Sequence, residues 1–128
     1  MSNFVDLNIL MDSETLRRAY PTISQHLRVW TPNDENLFRP RGETRDIEAS
    51  FIGSTGSYRD IRRPFLDQIE EHGIPLLRTG GQLTPIGLEE YAQIMRRSKI
   101  SINFSQSLPG THQLKARVFE ILFSESLL

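Results

Sequence analysis

Two basic clusters stand where a helix ordinarily disfavours them. Arg59, Arg62 and Arg63 crowd the start of one predicted helix, and Lys115 and Arg117 crowd the start of another. A cation beside the unpaired N–H groups of a helix start costs a few tenths to about 1 kcal/mol unless an anion is present. Those same N–H groups welcome phosphate, so a diphosphate is the ligand that suits both clusters. The plainer reading is a set of solvated cations balanced by Asp60 or Glu120, because exposed ion pairs are weak. A third predicted helix shows the opposite arrangement, with Glu89 and Glu90 in its first turn and Arg96 and Arg97 in its last. That pattern agrees with the helix dipole and needs no ligand.

Around the basic clusters lie other residues able to bind or react. Gly53-Ser54-Thr55-Gly56-Ser57 resembles a phosphate loop, but lacks the Gly-Lys-Ser/Thr ending of a P-loop and the dinucleotide fingerprint. ATP hydrolysis and NAD chemistry are therefore poorly supported. On the last predicted helix Gln113, Arg117, Glu120 and Ser124 fall on one polar stripe. A carboxylate such as Glu120 can accept hydrogen bonds from both hydroxyls of a ribose. It can equally pair with Arg117 at i, i+3 for a few tenths of a kcal/mol. His26, His72 and His112 show no metal-ligand spacing, although His112 opens a predicted helix beside a loop.

Positioning these groups falls to an alternation of strands and helices after Arg45. The apolar run 47–52 predicts a strand that stops at the glycine loop, and the helix after it carries Ile61, Phe65, Leu66 and Ile69 on one face. Pro64 must lie near the first turn of that helix, and Gly73 supplies a left-handed C-terminal cap. A strand over 74–77, a helix over 87–97 with Leu88, Tyr91, Ala92 and Met95 inward, a strand over 99–104 and a helix over 112–123 follow. Three strands alternating with three helices indicate a parallel sheet with right-handed crossovers, and 47–52 is expected between the other two. The fold class is thus α/β, a Rossmann-like three-layer domain. Residues 1–45 are polar and punctuated by Pro21, Pro32 and Pro40, and read as a lead-in or interdomain linker with a helix near 13–19 and a strand over 27–30. Residues 46–128 form the domain, which the sequence predicts to be incomplete, since Leu127-Leu128 falls where a fourth strand would begin.

Composition removes several function classes. A chain of 128 residues suits one domain. A formal net charge of -1 from 15 basic and 16 acidic residues argues against a protein that coats nucleic acid. Cys is absent, which removes disulfides, thiolate metal sites and a Cys nucleophile. With no leader-like start and no apolar run long enough to span a bilayer, the expectation is a soluble cytoplasmic protein.

Asp46-Ile47 through Phe51-Ile52-Gly53-Ser54, Tyr58-Arg59 with Arg62, and Ser98 through Ser105 together resemble the glycosyltransferases related to the spore protein CgeB. The most specific stretch is His112-Gln113-Leu114-Lys115-Ala116-Arg117-Val118-Phe119-Glu120-Ile121, similar to that family's Gln-x-Lys-Gly-Arg-x-Phe-Glu. Here Ala116 stands for the usual Gly, and Phe123-Ser124-Glu125-Ser126 replaces a small-Cys-Gly turn. The resemblance spans about 30–128 and implies the C-terminal half of a GT-B fold that binds a nucleotide-diphosphate sugar as donor, with no cofactor or metal. It implies that Glu120 holds the donor ribose and that Lys115, Arg117, Arg59 and Arg62 meet the diphosphate, with Gly53 and Ser54 as further candidate donor-binding residues; His112 stands where the broader superfamily often has an earlier glutamate, and is a candidate for the same site. It also implies that an N-terminal domain or second chain holds the acceptor, so that this chain alone is inactive. The competing expectations are a non-catalytic Rossmann-like interaction module, or half of a split protein. A receiver-like signalling domain would need an acidic cluster at strand ends, which the sequence lacks.

Overall fold

The structure, a computed structural model, describes residues 8–10, 26–28, 33–56, 59–81, 85–108, 111–112 and 115–128. In chain order its elements are β1 (Asn8–Leu10), β2 (His26–Arg28), α1 (Glu35–Phe38), β3 (Ile47–Ile52), α2 (Arg62–Glu71), β4 (Leu76–Thr79), α3 (Leu88–Arg97), β5 (Ser98–Ser101), β6 (Gln106–Leu108), β7 (Thr111–His112) and α4 (Ala116–Phe123). The chain divides into two compact units, Met1–Asn33 with Ser105–Ala116, and Asp34–Phe104 with Arg117–Leu128.

In the first unit β1 and β2 pair in parallel, and β6 and β7 pair antiparallel with a register irregularity. The expected strand over 27–30 is present as His26–Arg28, while the helix expected near 13–19 lies outside the described residues. Asn33 Nδ2 donates to the Ala116 carbonyl at 3.4 Å.

The second unit is built on a parallel sheet of order β4-β3-β5. β3 is central as expected, paired from Ala49↔Leu76 to Ile52↔Thr79 on one side and from Ile47↔Ser98 to Ser50↔Ser101 on the other. Going from β3 to β4 and then back across β3 to β5 reverses the winding direction, so right-handed crossovers put their helices on opposite faces. The packing agrees. Ile52 joins Phe38, Ala92, Met95 and Ile121 in one apolar cluster, whereas the ring of Phe51 meets Phe104, which meets Phe65 of α2. Helices therefore cover both faces of an α/β unit with Rossmann-like character.

Several boundaries differ from the sequence reading. β4 starts at Leu76 rather than Ile74, because the end of α2 uses the intervening residues. Gly73, at φ 77°, donates to the Glu70 carbonyl and Ile74 donates to the Ile69 carbonyl, which together form a Schellman stop. Pro75 then has no N–H to give to a ladder. On α2, Leu66 is fully buried as expected, but Ile61 and Phe65 are 55% and 54% exposed. On α3 the inward stripe holds Ala92, Ile94 and Met95, while Leu88 faces solvent. β5 closes at Ser101, earlier than Phe104, although Ile102 N–H still reaches the Ser50 carbonyl at 2.8 Å. The last helix starts at Ala116 and not at His112, because Thr111 and His112 belong to β7. The sequence there has Pro109-Gly110, a turn dipeptide, followed by β-branched Thr111. Leu127 does add to the sheet, forming a parallel bridge with Ile100.

Buried polar groups fix the helix ends. Arg45 donates from Nη1 to the Ser98 carbonyl and from Nη2 to the Ser124 carbonyl, each at 2.7 Å, satisfying orphan acceptors at the ends of α3 and α4 at once. Ser98 Oγ donates to the Ile94 carbonyl at 2.7 Å and lies 2.8 Å from Ser50 Oγ. Ser101 Oγ lies 2.9 Å from Ser126 Oγ. Arg96, 3% exposed, donates to Glu43 Oε1 at 2.5 Å, to Glu89 Oε1 at 2.9 Å and to the Leu37 carbonyl, locking α1 and its following loop onto α3.

Burial works against ionisation of Glu43, but the N–H groups of Arg41 and of Glu43 itself and the Arg96 guanidinium outweigh it and hold the carboxyl down at about 2. A carboxyl lowered in the folded state contributes stability that is fully present above its ordinary value of 4.5 and is lost on acidification. The unfolding free energy is therefore expected to fall as pH drops from about 4.5 toward 2, and Glu43→Gln should flatten that part of the profile in denaturant titrations. A second expectation concerns the end of α4, where Ser126 N–H reaches the Ile121 carbonyl and Glu125 N–H the Leu122 carbonyl. This is a Schellman stop with Glu125, at φ 56°, in the left-handed place glycine ordinarily takes. Glu125→Gly should stabilise the chain by about 1 kcal/mol, seen as a higher denaturation midpoint with unchanged slope.

Candidate functional site

Because the three strands are parallel, Gly53, Gly80 and Ile102 all emerge at the carboxyl edge of the sheet. Open α/β sheets bind ligands at that edge, where the winding direction reverses, here between β3 and β5. The chain leaves β3 at Gly53, whose N–H donates to the Thr79 carbonyl at 2.8 Å. The loops after β3 and β4 then touch backbone to backbone. A Cβ on Gly80, at φ 80°, would meet Ile52 Cγ2 at 2.9 Å, and one on Gly81, at φ 85°, would meet Ser54 Cα at 3.0 Å. Both positions need glycine for conformation and for space.

Above this glycine floor α4 places Arg117 and Glu120, and α3 places Tyr91 between them. Arg117 Nε donates to the Tyr91 hydroxyl at 3.1 Å, its guanidinium carbon lies 5.6 Å from the ring centre, and Tyr91 in turn donates to Glu120 Oε2. Arg117 Nη1 comes within 3.3 Å of where a Cβ on Gly53 would stand, so the guanidinium lies against the end of β3. Tyr91 is held from behind by an edge-on contact with Phe38, with ring centres 5.8 Å apart. Burial pushes the Tyr91 phenol above its ordinary value of 10; the Arg117 charge opposes this and the bond to Glu120 adds to it.

Among the described residues no direct ion pair joins Arg117 to Glu120; the two are bridged by the tyrosine hydroxyl. Helical spacing puts Tyr91 in the apolar stripe of α3 and gives no link to this pair. The signal was its hydroxyl, since a buried tyrosine hydroxyl needs a partner. Ser124, expected on the same polar stripe, is instead fully buried and donates to the Ile121 carbonyl at 2.8 Å, while Gln113 lies outside the described residues.

Arg62 and Ser54 build the loop. Arg62 is 7% exposed, donates from Nη1 to the Ser54 carbonyl at 3.1 Å, and lies 5.6 Å from the ring centre of Phe104. Ser54 Oγ accepts from the Gly56 N–H at 3.3 Å. Arg59 is half-buried in the turn before α2. A further acceptor, Asn103 Oδ1, is buried just after β5 with no hydrogen-bond partner. His112 and Lys115 belong to the first unit, His112 within β7 and Lys115 immediately before α4.

Comparison with family models, with curated proteins and with solved structures finds no match. Among the described residues no cluster of three or more His, Asp or Glu side chains is arranged to hold a metal, and no helix is long and apolar enough to cross a membrane. What the edge offers is one carboxylate with a free oxygen, one guanidinium, and a floor of glycine backbone. Such a set suits a ligand with vicinal hydroxyls next to an anionic group.

Proposed function

We propose that the second unit is the donor-binding domain of a GT-B-type glycosyltransferase and holds a nucleotide-diphosphate sugar at the carboxyl edge of its sheet. The observation that carries this reading is the placement of Glu120 and Arg117 together, bridged by Tyr91, over Gly53. Glu120 accepts the ribose hydroxyls, and Arg117 faces the diphosphate. Charge that develops on the departing diphosphate is stabilised by the guanidinium, a role that needs neither a protein nucleophile nor a metal. The resemblance of 112–121 to the CgeB-related enzymes supports the same assignment, and assigns the acceptor to a further domain or a second chain.

A second reading, a non-catalytic interaction module, draws on one observation: Leu122 is 58% exposed on α4, with Leu127 and Leu128 exposed after it. Calorimetric titration with UDP, GDP, ADP and dTDP separates the two. On the donor reading at least one diphosphate binds, and Glu120→Gln weakens it by about 1 to 3 kcal/mol while the ligand-free melt barely moves. Arg117→Ala should weaken the diphosphate more than the matching nucleoside. Unchanged affinity in both variants, or no binding by the parent chain, would remove the donor assignment and leave the interaction module.

A further inference from the structure

Tyr91 stands at the centre of the site yet carries none of the chemistry assigned to Arg117 or Glu120. Its hydrogen bonds have only one possible direction. Arg117 Nε can only donate, so the phenol oxygen must accept there, and its single proton must go to Glu120 Oε2. The ring is itself fixed, edge-on against Phe38 and under the guanidinium of Arg117. Two side chains that would otherwise sample several rotamers each are thereby set by a third, and the cost of ordering them is met before any ligand arrives.

We propose that Tyr91 is the positioning residue of this site: it directs Glu120 toward vicinal hydroxyls through its own hydroxyl, and orients Arg117 through that hydroxyl and its ring together. The inference rests on the donor-site reading and deepens it. With Oε2 accepting from Tyr91, Glu120 presents Oε1 and the remaining lone pair of Oε2, acceptors only, which match the two hydroxyl donors of a ribose and lose one of those two bonds with a 2′-deoxyribose, which keeps only its 3′-hydroxyl. Tyr91 therefore governs discrimination between ribose and deoxyribose ligands: its hydroxyl acts on the ribose side through Glu120 and on the anion side through Arg117, while its ring acts on Arg117 alone.

The test uses the full chain, with UDP, GDP and ADP each titrated beside its 2′-deoxy counterpart, and with inorganic diphosphate as a third probe. The parent chain is expected to prefer the ribose form by about tenfold or more. Tyr91→Phe, which removes the hydroxyl and keeps the ring, should lower that preference severalfold and weaken inorganic diphosphate by only a few-fold, because the ring contact to Arg117 remains. Tyr91→Leu, which removes both, should weaken inorganic diphosphate further than Tyr91→Phe does. If Tyr91→Phe fails to fold, Tyr91→Leu provides the same comparison, because it too removes the hydroxyl and leaves Glu120 intact; the ribose preference should again fall. A ribose preference lost in Glu120→Gln but unchanged in Tyr91→Phe or Tyr91→Leu would overturn the role of Tyr91 and leave the donor site standing. A parent chain that binds neither form would overturn the donor site and this inference together, and one that binds both forms equally would overturn this inference alone.

Discussion

Strand β3 has to satisfy its backbone on both edges and its side chains on both faces. Paired in parallel with β4 and β5, it buries Ala49, Ser50, Phe51 and Ile52 almost completely. Parallel pairing on both sides demands a crossover for each partner, and covering both faces demands that the crossover helices lie on opposite sides. The same constraint delivers Gly53 to the carboxyl edge beside the loop after β4, where only backbone can approach backbone. The site is thus a consequence of how the central strand is buried.

Polar groups inside this unit close its edges and do not compete with its apolar packing. Arg45 answers the last carbonyls of two helices, Arg96 ties α1 to α3 through Glu43 and Glu89, and the serine hydroxyls of β3 and β5 bond to one another or to a helix carbonyl. A buried charge left without its partner is expensive, so these contacts limit how far the elements can shift against each other. That rigidity matters at the opposite edge, where Arg117 and Glu120 extend from α4 into the site.

Periodicity made the sheet readable in the sequence: the run 47–52, the Gly73 stop and the amphipathic 88–97 stretch each carry a local signal that tertiary contacts reinforce. Boundaries were less legible where two local devices share residues, as where the Schellman stop takes Ile74 from β4, or where a hairpin takes Thr111 and His112 from α4. The basic clusters were legible as anomalies but not as partners. Arg62 was unfavourable beside its helix start, yet the structure turns it inward onto the Ser54 carbonyl and the Phe104 ring. Tyr91 was invisible as a site residue because apolar spacing and a polar tip occupy the same position, and spacing alone reports only the ring. Its partners are 26 and 29 residues away in sequence, a separation no local pattern encodes.

The most direct test of the proposed donor site is a crystal structure of the chain grown with whichever of UDP, GDP, ADP and dTDP shows binding. The account places the ribose hydroxyls on the Glu120 carboxylate, the diphosphate against the Arg117 guanidinium and the Gly53 end of β3, and the Tyr91 hydroxyl still bridging the two side chains. A ligand bound elsewhere on the chain, or one at this edge whose ribose turns away from Glu120, would contradict it.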